Sequence, residues 1–421
     1  MLTATETSDA PAAHPESAED LARARKVVIA TFLGWMLDAF DFFIMVFVFS
    51  HVAKSFDTSI TSVSVAVTLT LAMRSVGAFI FGRLADRYGR RPILMLVILS
   101  FSILEFASGL APNLWSFLVL RALFGVAMGG EWGIGSSLAM ETIPSRWRGW
   151  VSGLLQSGYP AGYFLATVVF YLFESSLGWR GLFMVGALPA LLVLYIRRNV
   201  PESPDWQAQQ KQPRLPLATV LHKHLKLTIY AAVLMMAFTF FSHGTQDIYP
   251  NVFLGVQHGF SAGTITVIAL LYNASGIAGG LVFGSLSQHI GRRRAIMAAA
   301  ILALPIIPLW AFSTEPFWLG LGAVLIQFCV QGAWGVIPAH LNELSPRAIR
   351  ATFPGFVFQL GNLLASYNAT LQAGIGEAMG KDYSWALAGV AGVAVMLMVL
   401  LVAFGPEARN VKMGDADPVT H

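Results

Sequence analysis

The sequence predicts an all-helical integral membrane protein whose twelve spans form two related six-helix halves. Composition, the length of the apolar runs and an internal repeat predict this fold. Of the 421 residues, 56% are hydrophobic and only 12% are charged, whereas soluble proteins average about 25% charged residues. So few charges cannot cover a water-facing surface, and the excess apolar surface must therefore face lipid. This composition excludes a soluble enzyme.

Charge and cysteine usage exclude further classes of protein. The formal net charge is only +4, which gives no reason to expect a nucleic-acid partner. The single cysteine, Cys329, excludes a disulfide framework within the chain and a multi-cysteine metal site. We therefore expect neither a metal nor an organic cofactor.

Apolar runs long enough to cross a bilayer recur along the chain. A spanning helix needs roughly 20 apolar residues, and transmembrane β-strands would instead alternate polar and apolar residues over about ten positions. Turn residues such as Pro112-Asn113 separate the runs. Numbered as spans one to twelve, they are residues 27–53, 63–83, 92–110, 114–140, 149–173, 180–198, 227–253, 264–288, 295–313, 316–341, 352–376 and 384–404.

The runs divide the chain into five parts. Residues 1–26 are polar without an apolar core, so we expect no cleavable signal peptide and expect span one to act as the insertion signal. The other parts are a first half at 27–198, a proline-rich linker at 199–226, a second half at 227–404 and a tail at 405–421.

The positive residues favour one side of the membrane. Of the 27 Lys and Arg residues, 22 fall at the N-terminus, in loops after even-numbered spans, in the linker or in the C-terminal tail. Lys54, Arg180 and Lys381 fall on the other side, and Arg74 and Arg121 lie within spans. By the positive-inside rule, both termini and the linker are expected in the cytoplasm of a plasma-membrane protein. The outer loops are short, which argues against a receptor or scaffold with an external binding domain.

The two halves match at a constant offset of 202 residues. Because three separate matches share this offset, the halves form a parallel repeat related by an axis along the membrane normal. A cavity between two such halves is the geometry of a transporter. The matches are GRLADRYGRR at 82–91 with GSLSQHIGRR at 284–293, GEWG at 130–133 with GAWG at 332–335, and Glu141, Pro144 and Arg148 with Glu343, Pro346 and Arg350.

The segment 82–91 resembles the signature loop of the major facilitator superfamily, Gly-x-Leu-x-Asp-Arg-x-Gly-Arg-Arg/Lys. The second half departs from this pattern because Gln288 replaces Asp86. Residues 201–204, Pro-Glu-Ser-Pro, resemble a further motif of that superfamily. The resemblance covers about residues 27–404 and implies the major facilitator fold and transport by alternating access.

Span seven carries a sharper resemblance. Residues 242–247, Ser-His-Gly-Thr-Gln-Asp, resemble the span-seven signature of lactate/pyruvate:proton symporters, a branch of the sialate:proton symporter family. Thr239 and Asn251 depart from the Asn and Thr that flank this signature. The resemblance implies symport of a small monocarboxylate with a proton.

Polar residues on span seven share one helical face. Thr239, His243, Gln246 and Asp247 stand at i, i+4, i+7 and i+8. An imidazole and a carboxylate one turn apart can share a proton near physiological pH. We predict that His243 and Gln246 contact substrate and that Asp247 takes part in proton coupling. Alternatively, the pair only orients the helix.

Arg74 lies midway along span two and is the predicted carboxylate-binding residue. A guanidinium offers planar bidentate donors that match a carboxylate. Its partner by the repeat is Gly276, so Arg74 breaks the symmetry of the halves, as a substrate group would. The alternative is a buried ion pair with Asp38 or Asp41, and the two roles could alternate.

Four acidic residues are candidate proton carriers: Asp38, Asp41, Glu131 and Asp247. Asp38 and Asp41 stand at i, i+3 on span one, where mutual repulsion and removal from water favour the protonated form of at least one. Glu131 on span four either pairs with Arg74, carries a proton or serves a structural role. Glu105, alone on span three, is expected at the periphery or against a neighbouring helix.

Uncharged polar residues on spans five and eleven are candidates for holding a hydroxyl or keto oxygen beside the substrate carboxylate. We predict this role for Gln359, Asn362 and Tyr159. The family resemblance implies a substrate-linked glutamine on span eleven. Interhelical hydrogen bonding is the alternative for each.

Charged residues at the basic loops are predicted to form a gate that closes when the outside is open and parts when the inside opens. Topology determination alone is the alternative. Arg146 and Arg347 are expected to complete the network. The gate residues are Gly82, Asp86, Arg87, Gly89, Arg90, Arg91, Arg148, Glu343 and Arg350.

The predicted function is import of lactate or pyruvate with a proton by a monomeric transporter, the proton being the coupling ion. One alternative is a proton-coupled transporter or exporter of another organic acid, such as sialate or an aromatic acid. A second is a membrane acyltransferase that uses His243 and Asp247, whose spacing occurs in some acyltransferases.

Overall fold

The computed structural model describes residues 18–210 and 217–407, together with Arg409, Val411 and Met413. Parts of the predicted tails and linker, including Pro213 and Pro216, lie outside the described residues. Within the described ranges all regular secondary structure is helical.

The predicted spans correspond to helices that often consist of two segments. In the first half they are Ala18–Phe47 with Phe49–Ser55, Ile60–Tyr88, Arg90–Gly109, Leu114–Gly129 with Glu131–Thr142, Arg148–Gln156 with the part of Gly158–Val185 before Gly178, and the remainder of Gly158–Val185 with Ala190–Asn199. In the second half they are Leu225–Gln246 with the π-helix Tyr249–Gln257, Ala262–Ile290, Arg292–Ala303 with Ile307–Phe312, Pro316–Trp334 with Ile337–Leu344, Thr352–Leu364 with Asn368–Ala378, and Ser384–Phe404. Two short helices, Pro204–Gln209 and Leu217–Lys223, belong to the linker.

Ten stretches of the described chain are long and apolar enough to cross a membrane. One of them, 145–199, contains both span five and span six, which are divided at Gly178 by a left-handed φ of 60°. Span eleven is not among the ten because it breaks between Leu364 and Asn368. Merging and breaking of helices thus account for the difference from twelve.

The internal repeat is visible in the helix ends. The side chain of Ser59 caps span two and that of Ser261 caps span eight, each accepting a hydrogen bond from the backbone amide three residues later. Gly89 and Gly291, with φ of 113° and 102°, end the same two spans. Because only glycine adopts such angles without strain, both halves need it at this turn.

A buried ion pair also repeats. Arg90 donates to both carboxylate oxygens of Glu141 at 3.2 and 3.0 Å. Arg292 donates to both oxygens of Glu343 at 2.8 and 2.9 Å. Each pair ties the start of an odd-numbered span to the end of the next one, in the same bidentate geometry.

The halves meet closely at the end of the bundle that carries the loops 83–91 and 284–294, which we call the basic end. A Cβ on Gly133 of span four would lie 2.6 Å from the Cα of Gly355 of span eleven. A Cβ on Gly284 of span eight would lie 3.0 Å from the Cα of Gly153 of span five. Small residues therefore let four helices of the two halves approach to backbone contact.

Hydrogen bonds reinforce this closure. The hydroxyl of Ser137 donates to Asn342 at 2.9 Å, and the amide of Asn342 donates to Ser136 at 3.2 Å. The backbone amide of Ala339 donates to the hydroxyl of Ser152 at 3.0 Å. The residues that line this contact are buried, so the basic end is closed.

We predict that Gly77→Ala lowers the stability of the first half. A Cβ on Gly77 of span two would overlap the backbone oxygen of Val126 on span four, and overpacking of this kind costs about 1–3 kcal/mol. Thermal unfolding in detergent measures the effect. The control is Gly389→Ala on span twelve, where nothing lies within 4 Å of the added methyl. Equal melting temperatures for the two variants would contradict the prediction.

Candidate functional site

A buried ion pair stands at the centre of the first half. The guanidinium of Arg74 on span two donates to the two carboxylate oxygens of Asp38 on span one at 3.2 and 3.3 Å. The side chain of Arg74 is 5% exposed and that of Asp38 is fully buried. Of the two ion-pair partners considered for Arg74 in the sequence, the structure selects Asp38.

Aromatic rings surround this pair. The guanidinium of Arg74 lies 5.9 Å from the ring centre of Trp35, and Trp35 packs at 5.5 Å against the ring of Tyr159 on span five. The hydroxyl of Tyr159 is within electrostatic reach of Arg74, Asp38 and Asp247. Tyr159 therefore stands between the ion pair of the first half and the acidic residue of span seven.

The polar pair of span seven is partly exposed. Nδ1 of His243 lies 2.9 Å from a carboxylate oxygen of Asp247, and the two side chains are 47% and 30% exposed. Tyr272 of span eight is also within electrostatic reach of Asp247. Such exposure midway along a membrane span requires a cleft, because a lipid-facing carboxylate is costly.

Gln246 does not join that pair. Its side-chain amide donates to the hydroxyl and to the backbone oxygen of Ser242, both in its own helix. Thr239, expected on the same face, is buried and donates to Asn362 of span eleven at 2.9 Å. The predicted face is thus divided between an exposed acid–base pair and a buried contact with span eleven.

Asn362 and Gln359 continue this buried contact. Asn362 donates to the side-chain oxygen of Gln359 at 3.2 Å, and the backbone oxygen of Gln359 accepts a hydrogen bond from Ser75 at 3.1 Å. Nε2 of Gln359 is buried and has no hydrogen-bond partner among the described residues. Gln359 thus has an amide donor without a partner among the described residues, and its backbone is bonded to Ser75, the residue that follows Arg74.

Asp41 faces a different cluster from Asp38, although the two are one turn apart. Its neighbours are Glu105 of span three and Arg121 of span four, which form a buried ion pair with each other. Arg121 also lies 3.9 Å from the ring centre of Phe124. Asp41 is fully buried, and neither of its oxygens has a partner among the described residues. Of the two positions expected for Glu105, the periphery or a neighbouring helix, the structure shows the second, because Glu105 pairs with Arg121 of span four.

Glu131 does not hydrogen-bond to Arg74. Its side chain is 1% exposed, and neither carboxylate oxygen has a hydrogen-bond partner among the described residues. It lies within electrostatic reach of both Asp38 and Arg74. The first half therefore buries four carboxylates around Arg74 and Arg121, namely those of Asp38, Asp41, Glu105 and Glu131.

The clearest gate contact across the halves is made by Asp86. Its carboxylate accepts hydrogen bonds from the backbone amides of Ala351 and Thr352 at 2.9 and 3.2 Å, and from the Thr352 hydroxyl. These amides are at the start of span eleven, where a helix favours a negative charge. Gly82 allows the approach, since a Cβ there would lie 2.6 Å from the Cα of Thr352.

Arg148 and Glu343 also face each other across the halves, at 3.8 Å. Glu343 is at the same time held by Arg292 in its own half. Arg350 reaches the other half through its backbone oxygen, which accepts a hydrogen bond from the hydroxyl of Ser137 at 2.8 Å. The side chains of the remaining predicted gate residues make hydrogen bonds and ring contacts within a half or with the C-terminal segment. Arg90 binds Glu141, Arg91 donates to the backbone oxygen of Arg197, Arg87 lies over the ring of Tyr88, Gly89 precedes span three, and Arg350 donates to the backbone oxygen of Met413.

Glu202, in the Pro-Glu-Ser-Pro segment after span six, has a structural role at the same end. Its carboxylate accepts hydrogen bonds from the backbone amides of Arg90 and Arg91 at 3.0 and 3.1 Å, and so caps the start of span three. Burial raises the pKa of Glu202, and these amide donors oppose the shift. Glu407 binds the amide of Arg293 in the second half in the same way, at 3.0 Å.

Sequence reasoning missed three contributors to the site. Trp35 contacts the central ion pair, Gly34 lies against Glu131, and Tyr272 faces Asp247. Trp35 and Gly34 immediately precede the Asp38 turn, so their proximity along the chain was a usable signal. No sequence signal indicated Tyr272, because only the packing of span eight brings it near Asp247.

Two six-helix halves that are sealed at one end and enclose buried charged groups beneath a water-accessible cleft define a membrane transporter. The sequence profile of the Major Facilitator Superfamily matches residues 31–367. The chain therefore belongs to the Major Facilitator Superfamily, and the expected fold class is confirmed.

The relatives and solved structures that resemble the chain are transporters. The sialic acid transporter NanX of Escherichia coli is 29% identical over 93% of this chain and 96% of its own length. A probable 4-methylmuconolactone transporter of Cupriavidus pinatubonensis is 30% identical over 93% and 94%. The structure of the proton:xylose symporter XylE has a TM-score of 0.70 at 17% identity, covering 93% of this chain and 97% of that one. These findings exclude the acyltransferase alternative, and the chain is a transporter and not an enzyme.

We predict that Asp86→Asn loosens the basic end. An amide side chain loses the negative charge that the helix N-terminus of span eleven favours. In a variant with Ala339 replaced by cysteine, maleimide labelling at this buried position is expected to rise several-fold when Asp86→Asn is added. The native Cys329 is buried, and a background without it removes its contribution. The control is Asp57→Asn, at an exposed position. Unchanged labelling would contradict the prediction.

Proposed function

We propose that the chain is a proton-coupled symporter of a small organic acid, with the monocarboxylates lactate and pyruvate as the first candidates. The observation that carries this proposal is the Arg74–Asp38 pair, buried at the centre of the first half beside carboxylates that have no hydrogen-bond partner. This arrangement supplies both a carboxylate-binding group and protonatable groups within electrostatic reach of it.

Arg74 is the group that binds the substrate carboxylate. A guanidinium can hold a carboxylate through two parallel hydrogen bonds, and Nε of Arg74 has no partner among the described residues. Asp38 holds the guanidinium in the absence of substrate. Protonation of Asp38 weakens that pair and frees donors of Arg74 for the incoming anion.

Proton coupling follows from charge balance. An anionic substrate adds a negative charge to a buried region in which carboxylates already outnumber guanidinium groups. Binding is therefore favoured when one of Asp38, Asp41, Glu131 or Asp247 takes up a proton. Neither the acid nor the proton then crosses efficiently alone.

Residues of the second half complete the substrate site. His243 and Asp247 line the cleft, and Gln359 has a free amide donor. With Tyr159 and Asn362, these groups can hold a hydroxyl or keto oxygen beside the carboxylate. Gln246 would need to leave Ser242 before it could contact a substrate.

The relatives favour organic acids but not one particular acid. Their names include a sialic acid transporter, a carboxylic acid transporter homolog from Saccharomyces cerevisiae and a cis,cis-muconate transport protein from Acinetobacter baylyi. A larger or unsaturated acid, such as sialate or an aromatic acid, is therefore the second candidate substrate. The span-seven block Ser-His-Gly-Thr-Gln-Asp favours lactate and pyruvate as the first acids to test.

In this proposal the basic end faces the cytoplasm, as the distribution of Lys and Arg indicates. The described conformation is then open toward the outside. The inner gate of Asp86, Arg148 and Glu343 parts when the carrier turns inward. The protein acts as a monomer in the plasma membrane.

We predict that proteoliposomes accumulate labelled L-lactate above equilibrium when an inward proton gradient is imposed. Accumulation is expected to collapse with a protonophore, because the proton gradient supplies the driving force. Unlabelled pyruvate, sialate and aromatic acids then rank the substrates by competition. If no acid in this panel accumulates against its gradient, the proposed function is wrong.

We predict that Arg74→Lys lowers uptake by about tenfold or more, since a lysine cannot form the bidentate contact, and loss of one such charge-assisted bond is worth about 1.5–3 kcal/mol. The matched control is Arg294→Lys, at an exposed position of the basic end. Initial rates of uptake at several external pH values provide the measurement. Wild-type transport by Arg74→Lys, or uptake independent of external pH, would contradict the proposal.

A further inference from the structure

Glu131 lies at a small cavity on the side of the central ion pair that faces the basic end. The cavity is lined by Thr31 and Trp35 of span one, by Leu155 of span five, and by span four itself. It has room for about one water molecule. Both oxygens of Glu131 and Nε1 of Trp35 are buried and have no partner among the described residues. Residues with unpartnered polar atoms thus line this small cavity.

Trp35 connects this cavity with the substrate site. One side of the residue lines the Glu131 cavity, and its ring centre lies 5.9 Å from the guanidinium of Arg74. The charged groups that face Glu131 are Asp38 of span one and Arg74 of span two. The polar groups that face it from spans one and four are Thr31 and Ser136.

Asp41 is the other buried carboxylate without a partner, but its surroundings differ. Asp41 faces Asp38, Glu105 and Arg121, and Arg74 is not among the charged groups that act on it. Glu131 instead acts on both members of the Arg74–Asp38 pair. Its charge therefore determines directly how well Arg74 can accept a second anion.

We infer that Glu131 is the carboxyl that stores the transported proton, receiving it from Asp38 past Trp35, and that Gly34 positions it. This inference rests on the proposed function. When Glu131 is ionised, Arg74 already faces two anions, and a substrate carboxylate would be a third. When Glu131 is neutral, the substrate anion replaces its charge. Substrate and proton are then required together.

Gly34 provides the space that this role needs. A Cβ on Gly34 would overlap Oε1 of Glu131. Gly135 faces the same oxygen, but a Cβ there would lie 3.5 Å away, at ordinary contact distance. A methyl group at position 34 therefore displaces the carboxyl, whereas one at position 135 does not. The two glycines form a matched pair of test sites.

Transport assays separate the storage of a proton from the binding of substrate. Exchange of labelled for unlabelled substrate across the membrane needs no net proton movement, whereas uphill accumulation does. Glu131→Gln is expected to keep exchange and to lower proton-driven accumulation by about tenfold or more. Accumulation at the wild-type level, or loss of exchange together with accumulation in folded protein, would overturn the inference.

Gly34→Ala is the second variant. It retains the Glu131 carboxyl group, unlike Glu131→Gln, and changes only its position. It is expected to move the pH at which accumulation is half-maximal, and Gly135→Ala is expected to leave that pH as in the wild type. A structural defect alone would lower the rate at every pH without moving the midpoint. An unmoved midpoint in Gly34→Ala, or equal shifts in both variants, would overturn the positioning role.

A substrate-free measurement distinguishes failure of this inference from failure of the proposed function. Infrared difference spectra of the reconstituted wild type, recorded across pH, report the carbonyl band of a buried protonated carboxyl. The band is expected to lose the contribution of Glu131 in Glu131→Gln, with any contribution of Asp41 left in place, and to keep its full intensity in Gly135→Ala. A band of unchanged intensity in Glu131→Gln that is lost in Asp41→Asn would overturn the inference, whatever acid the protein carries.

Discussion

The buried charges of the first half are the constraint on which the site depends. Asp38, Asp41, Glu105 and Glu131 are almost fully removed from water, and among the described residues Arg74 and Arg121 are the guanidinium groups that act on them. An unpaired charge at this depth costs several kcal/mol, so pairing and protonation must compensate. Each arginine pairs with one carboxylate, and the other two carboxylates have no hydrogen-bond partner among the described residues. In the proposed function, a region of this kind binds an anion together with a compensating proton, and this is the proposed basis of coupling.

The repeat explains how such a region can open to one side at a time. Serine caps, glycine turns and the Arg90–Glu141 and Arg292–Glu343 pairs give both halves the same internal connections. Among the described residues, several of the hydrogen bonds between the halves lie where glycine and serine let the backbones meet. The Asp86 carboxylate binds backbone amides at the start of span eleven, and one substitution at Asp86 would remove this contact. In the proposed function, the closed basic end parts without disrupting either half.

Hydropathy, the repeat and the loop motif predicted the fold class, the span order and the place of Arg74, because lipid contact and symmetry act on the whole chain. The pairing of individual side chains was less predictable. Asp38 and Asp41 share a helical face in the sequence, yet span two takes one and spans three and four take the other. Gln246 has the right spacing but bonds to Ser242. The break in span eleven carries no proline or glycine at Ala365-Ser366-Tyr367, and so only tertiary packing reveals it. The role of Gly34 could not be predicted from the sequence, because it depends on the Glu131 carboxyl that packs against it.

The most direct test of coupling is the movement of protons driven by the substrate alone. Proteoliposomes containing a pH-sensitive dye, with no imposed pH gradient and with the membrane potential clamped, receive an inward gradient of the acid that the protein accumulates. The account predicts acidification of the interior that follows substrate entry and is absent from liposomes without protein. Entry of labelled acid without acidification would show that the buried carboxylates do not carry a proton with the substrate, and would contradict the account.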